Sequence, residues 1–347
     1  MLTVETPPQR VAVPSAAVEL DVQLQPVDIF RADLNIAWRQ VRWVVIAALA
    51  FSVLVAVGRE DYFLLALPIF VGIFSFSLLA GFSFMGARSA LRTSRVLGGG
   101  LHYSFRPDGL DIRGSTFWSH QDWSNIHEVL KTRHLLILRT STVQRHIIPM
   151  RSIAPGDLQK IQSLIRPDAP SGQATRRPSP PASTPLLCLR VRMSADDLYR
   201  GFLIMLLRKS YWYTAQLAFV FMLFFMVNPR FLSPLVFVGV GTIFFLYLAT
   251  HFYWSSARAI RTNTAYRHEM EFVIDQTGLS ISGPTFSSHN DWCNYQAVIE
   301  DSKIFLFCPS NSQMVVLPKR CFANDSQIET LRQLLRANYR GKLSLKH

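Results

Sequence analysis

The chain carries a duplicated unit. Shifted by 169 positions, residues 109–153 lie on residues 278–322 without a gap, and about a third of the paired positions are identical. The shared residues include Gly109/Gly278, Leu110/Leu279, Ile112/Ile281, Asp122/Asp291, Trp123/Trp292, Pro149/Pro318 and Arg151/Arg320. The same shift lays "ALRT" (90–93) on "AIRT" (259–262), and "DIFR" (28–31) on "DLYR" (197–200). Solenoid repeats recur every 20–50 residues or so; this period is a whole domain long, so the chain is a tandem duplication. Whatever fold it adopts must be one that can be built twice.

Each copy reads as β structure closed by one helix. Val18, Leu20, Val22 and Leu24 alternate, as do Leu187, Leu189, Val191 and Met193, the pattern of a half-buried strand. Later, "LHYSF", the turn "RPDG" and "LDI" give a strand, a turn and a strand. The segments "EVL", "HLLIL" and "RHIIP" follow, with "AVI", "KIFLF" and "MVVLP" in the second copy. Each copy ends in an amphipathic helix, carried by Leu158, Ile161, Leu164 and Ile165, then by Ile328, Leu331, Leu334 and Leu335. About seven short antiparallel strands and a C-terminal helix suggest a small pleckstrin-homology-like β domain, assembled from 17–25 plus 100–166 in the first copy and from 186–194 plus 268–337 in the second. Residues 1–16 are expected to be disordered, and 167–185 form a Pro/Ser-rich linker between repeats spanning 17–166 and 186–340.

Composition points to a membrane. Hydrophobic residues make up 49% of the 347 and charged residues only 17%, with a mean hydropathy of +0.19. Ordinary soluble domains carry about 25% charged residues. The deficit is concentrated in four apolar runs at 42–58, 62–87, 211–228 and 231–256, and about 20 such residues span a bilayer. Buried helices of a soluble protein would keep a polar stripe, which these runs lack. The expected fold class is therefore membrane α+β, with a two-helix transmembrane hairpin inserted in each copy. Arginines flank the outer ends of the runs, among them Arg39, Arg42, Arg88 and Arg92, then Arg200, Arg208, Arg258 and Arg261. By the positive-inside rule this puts both termini in the cytoplasm of a multi-pass inner-membrane protein. The net charge of +13 then faces the bilayer and its anionic headgroups, and without a reading module nucleic acid is not an expected partner. Cys188, Cys293, Cys308 and Cys321 show no metal or redox spacing and should be free thiols.

Three motifs carry a resemblance. Phe105, Pro107, Asp108, Gly109, Leu110 and Ile112 are followed by Ser119, Asp122, Trp123, Ser124, Asn125, Ile126, Glu128 and Val129, and then by Ile147, Ile148, Pro149 and Arg151. This series resembles the YcxB-like family of bacterial membrane proteins, in two tandem copies from about Val18 to Arg166 and from about Leu187 to Arg336. The resemblance implies a helical hairpin, a C-terminal β domain and a bacterial membrane location, but no established activity. One unit is common in the family where this chain has two.

The stretch "GSTFWSHQDWSNI" (114–126), repeated as "GPTFSSHNDWCNY" (283–295), is the strongest candidate for chemistry. His120 with Asp122, and His289 with Asp291, lie two apart and so share a strand face. Ser119 and Ser288 are near, but no nucleophile elbow or oxyanion-hole signature accompanies them. One His per motif is too few for zinc. The structural reading explains more: Trp123 and Trp292 supply core, Gly114 and Gly283 permit a tight turn, and Asp122, Asp291, Asn125 and Asn294 bond turn backbone. His120, His289, Arg151 and Arg320 remain the functional candidates. No catalytic residue, cofactor or metal is expected. The sequence therefore favours a non-enzymatic integral inner-membrane protein presenting two cytoplasmic β domains to a protein, a peptide or lipid headgroups. The alternative is an envelope enzyme or regulator with a His-containing cleft between the domains. Equal register in the copies suggests pairing about a pseudo-two-fold axis along the membrane normal, against two independent units on a tether.

Overall fold

The computed structural model describes residues 17–36, 38–39, 46, 84–89, 91–92, 98–140, 145–165, 185–208, 242, 250, 253–310 and 313–345. The first copy contributes four strands to a large sheet: β1 (Val18–Val22), β2 (Leu101–Phe105), β3 (Gly109–Arg113) and β4 (Phe117–Asp122). Three more, β5 (Glu128–Lys131), β6 (Leu135–Arg139) and β7 (Arg145–Pro149), form a small antiparallel sheet, and the Asp157–Leu164 helix closes the unit. The second copy repeats this order with β8 (Leu187–Val191), β9 (Met270–Ile274), β10 (Gly278–Ser282) and β11 (Phe286–Asp291). Its small sheet is β12 (Ala297–Glu300), β13 (Ile304–Cys308) and β14 (Val315–Pro318), followed by the Asp325–Asn338 helix. A last strand, β15 (Lys342–Ser344), lies parallel to β12.

Each unit has its own core. In β1 and β8 alternate residues are buried, and the exposed positions, Glu19 and Asp21 or Cys188 and Arg190, are mostly charged. The first core joins Leu20, Tyr103, Phe105, Leu110 and Trp123 to Leu135, Ile137 and Ile161. The second joins Leu189, Phe272, Leu279 and Trp292 to Phe305, Phe307 and Leu331. Both units nevertheless share one eight-stranded sheet, in the order β1-β2-β3-β4-β11-β10-β9-β8. The join is the antiparallel pairing of β4 with β11.

The membrane reading is corrected here. The described residues form mostly antiparallel sheet, and among them no helix is long and apolar enough to cross a membrane. The Ala195–Arg208 helix, for example, has 14 residues and so a length of about 21 Å, short of the ~30 Å hydrocarbon core. It also opens with Asp196 and Asp197 and presents one apolar side, as a helix packed on a sheet does. The four runs at 42–58, 62–87, 211–228 and 231–256 fall outside the described residues except for positions 46, 84–87, 242, 250 and 253–256. The N-terminal segment 1–16 and the linker 167–185 likewise lie outside them, save for Pro185. The structure therefore does not support the membrane α+β class with its transmembrane hairpins, nor the integral inner-membrane protein with cytoplasmic termini. That reading rested on the length and composition of the apolar runs and on the arginines beside them, which are features of sequence and not of placed helices.

Candidate functional site

The repeated motif builds the join between the units. Gly109 starts β3 opposite Asp122, and Gly278 starts β10 opposite Asp291. A methyl group on Gly109 would stand 2.4 Å from the Gln121 carbonyl oxygen, and one on Gly278 would stand 2.2 Å from that of Asn290. Only a glycine lets each hairpin close this tightly. The hairpins then present β4 and β11 edge to edge.

Across the seam Phe117 pairs with Asn290, Trp118 with His289, Ser119 with Ser288, His120 with Ser287 and Gln121 with Phe286. Ser119 and Ser288 are the same position in the two copies, so a local two-fold axis passes between them. The pairs on either side exchange under it: Phe117–Asn290 becomes Gln121–Phe286. Where the ladder ends, the Asp122 N–H donates to the Thr285 carbonyl (2.9 Å) and the Asp291 N–H to the Thr116 carbonyl (3.1 Å).

Side chains clasp the seam at both ends. The Asn125 amide donates to the Thr285 carbonyl at 2.9 Å, and the Thr285 hydroxyl donates back to Asn125 Oδ1 at 2.9 Å. The Asn294 amide donates to the Thr116 carbonyl at 2.7 Å, and the Thr116 hydroxyl to Asn294 Oδ1 at 2.7 Å. Asn125, Asn294 and Thr285 are buried, where an amide without a partner costs about 1–3 kcal/mol. The asparagines thus bond backbone, but it is the backbone of the other copy.

The tryptophans lie just beyond. Trp123 is 2% exposed, stacks on Phe105, and donates its indole N–H to the Arg106 carbonyl at 2.9 Å. Trp292 is 4% exposed, packs on Tyr295 and Phe307, and donates to the equivalent Asp275 carbonyl at 3.1 Å.

The histidines face away from Ser119 and Ser288, because neighbours on a strand point to opposite faces. His120 Nδ1 lies 2.6 Å from Asp111 Oδ1, and its Nε2 lies 3.2 Å from Asp122 Oδ1. Hydrogen bonds to Asp111 and Asp122 outweigh burial and push the imidazole up to about 9. Burial works against ionisation of Asp111, yet the hydrogen bond from His120 and the charges of His120, Arg106 and Arg113 hold its carboxyl below the usual range. Arg106 Nε stands 3.3 Å from the second Asp111 oxygen. Asp122 Oδ2 is buried with no hydrogen-bond partner, which the adjacent imidazolium makes tolerable. In the second copy Ser280 replaces Asp111. His289 Nδ1 is 2.8 Å from Ser280 Oγ, and Nε2 is 3.1 Å from Asp291 Oδ1.

Ser280, His289 and Asp291 thus have the composition of a hydrolytic triad, but not its setting. Ser280 is mid-strand, flanked by β9 and β11, so the surrounding backbone N–H groups belong to the sheet ladder and none is aimed at a developing oxyanion. The serine and the histidine are both buried. Among the described residues no group of three or more His, Cys, Asp or Glu is placed to hold a metal ion.

Arg151 and Arg320 lie away from the seam. Arg151 binds Asp28 through two nitrogens, at 2.8 and 2.6 Å, and donates to the Gln23 carbonyl at 3.1 Å. Arg320 binds Asp197 and donates to the Arg192 carbonyl at 2.8 Å. The two aspartates cap the helices that follow β1 and β8: Asp28 accepts from the Gln25 N–H, and Asp197 from the Ser194 N–H and hydroxyl. In both copies the arginine fastens a helix start to the strand before it.

Thr116, Thr285, Asp111, Ser280, Asp28 and Asp197 were not singled out from the sequence as site residues. A signal existed for the threonines, since Thr116 and Thr285 recur at the duplication offset beside the repeated asparagines.

No protein-family model matches the chain, and no solved structure matches it. A segment of 112 residues is 21% identical to the protein of Bacillus subtilis (strain 168) named "Uncharacterized protein YcxB". The aligned part covers 32% of this chain and 60% of that protein's length. The similarity supports a YcxB-like relationship over that segment.

Proposed function

We propose that the chain is a non-enzymatic binding protein, two YcxB-like units in tandem fused through one sheet and offered as a rigid pair to a protein partner. The seam carries this reading. The residues repeated most closely between the copies, Thr116/Thr285 and Asn125/Asn294 among them, engage each other across the β4–β11 join instead of lining a reaction centre. The histidine environments support it as well. Both ring nitrogens of His120 and of His289 are engaged by neighbours, whereas a general base needs one nitrogen open to the substrate proton.

The test compares two double variants of the full chain, purified from native cells after crosslinking. Asn125→Leu with Asn294→Leu should keep both units folded by circular dichroism yet lose a partner that copurifies with the unaltered chain. His120→Gln with His289→Gln should retain that partner. If the histidine variant keeps the fold and the partner but abolishes the cellular phenotype, the enzyme reading replaces this one.

A further inference from the structure

The two small sheets are built alike and finished differently. In the second unit β12 is covered on its outer edge by β15, with Ala297 opposite Lys342, Val298 opposite Leu343 and Ile299 opposite Ser344, all in parallel. The Lys342 N–H donates to the Gln296 carbonyl, and Leu343 and Leu345 pack against the core. Val298 is fully buried there. The corresponding strand of the first unit, β5, pairs with β6 on one side, and among the described residues no strand pairs with its other side. Val129, the counterpart of Val298, is only partly buried. The stretch at the position of Lys342–Leu345 in the first copy is Gln173-Ala174-Thr175-Arg176, which has no leucine to supply the same contacts.

Resting on the reading of the chain as a binding protein, we infer that the outer edge of β5 is a docking strand for an extended peptide segment of a partner protein. The segment runs parallel to β5 and carries two large apolar side chains at alternate positions, as Leu343 and Leu345 do. The fit is set by the chain itself, because β15 is a worked example on the same scaffold. Its main chain extends the sheet, and the leucine at the place of Leu343 covers the partly buried Val129. A partner helix or a polar peptide has no such fit.

The probe is a fluorescent synthetic peptide with the sequence of residues 339–345, carrying a photoreactive leucine at the place of Leu343, added to the full chain. Saturable binding is expected, with crosslinks mapping to residues 127–131. Replacing both peptide leucines by aspartate should weaken binding by at least about tenfold, as loss of two buried apolar side chains requires. Val129→Lys in the protein, which leaves the strand backbone intact, should weaken it similarly. The inference is overturned if binding does not saturate, if crosslinks map only to β12, or if Val129→Lys has no effect. It also fails if the Val129 amide of the free chain exchanges with solvent as slowly as that of Val298, since the edge would then already be covered. Any of these results alongside a partner that still copurifies would remove the β5 edge and leave the binding reading standing.

Discussion

The first unit and the second share a frame and differ in what fills it. The second unit buries Glu300, whose side chain is fully enclosed, against Lys319 and Arg332, with Arg332 Nη2 2.6 Å from it. At those positions the first unit has Lys131, Met150 and Ser163. The second unit also ends in a 14-residue helix capped by Asn324 and followed by β15, where the first has an 8-residue helix. The first unit in turn places His120 between Asp111 and Asp122, where the second has Ser280–His289–Asp291. The seam clasp, the indole hydrogen bonds and the arginine clamps are the same in both. What the copies keep in common is therefore what joins them and what fastens helix to strand, while each interior has its own solution.

Four experiments press on that contrast, starting with the largest effect. Trp123→Ala and Trp292→Ala should each destabilise by about 3–5 kcal/mol, and by similar amounts, because both rings are buried and donate to equivalent carbonyls. Denaturant unfolding of the two single variants checks this, and a large disparity would mean that one ring is not a core anchor. Next, Arg332→Met should cost about 3 kcal/mol by taking the Arg332 guanidinium away from the enclosed Glu300 carboxylate. The matched change in the first unit, Ser163→Met at an exposed helix position, should fall within about 0.5 kcal/mol of zero.

Raising the pH should loosen the first unit selectively. His120 titrates near 9 in the fold and near 6.5 when unfolded. Its contribution is therefore complete below about 6.5 and lost as the pH rises through about 9. A decline on the order of 2 kcal/mol between pH 7 and 10 should be visible in thermal melts and abolished by His120→Gln, while His289→Gln leaves it in place. A decline that persists in His120→Gln would assign it to another group. The smallest effect belongs to the clasp. Asn125→Leu or Asn294→Leu alone should cost about 1–2 kcal/mol, and because the two ends hold one seam, the double variant should deviate from additivity.

The strands were legible because side-chain alternation is a local signal. Val18, Leu20 and Val22 announce β1, and Leu187, Leu189 and Val191 announce β8. The seam was not legible. Thr116 and Asn125 have the composition of turn formers, and nothing in their spacing says that the groups they donate to lie 178 and 160 residues away. Partners such as Asp111 for His120 and Asp28 for Arg151 are likewise set by strand register and chain return, which a single sequence does not display. The apolar runs misled in a different way. They measure hydrophobicity correctly, but a fold class was read from them when the described residues are mostly sheet and contain no helix that could cross a membrane.

The continuous sheet also acts as a ruler. Eight strands leave seven spacings, and at about 4.8 Å each the outermost strands stand roughly 34 Å apart measured along the sheet. Those outermost strands are β1 and β8, which lead directly into the two helices clamped by Arg151 and Arg320. The clamps fix each helix to its strand, and the seam fixes the strands to each other. The starts of the two helices are thus held at a set separation by main-chain hydrogen bonds. Whatever engages both helix starts must match that span, and a chain with one unit would have no such gauge unless two copies met edge to edge along the same strand.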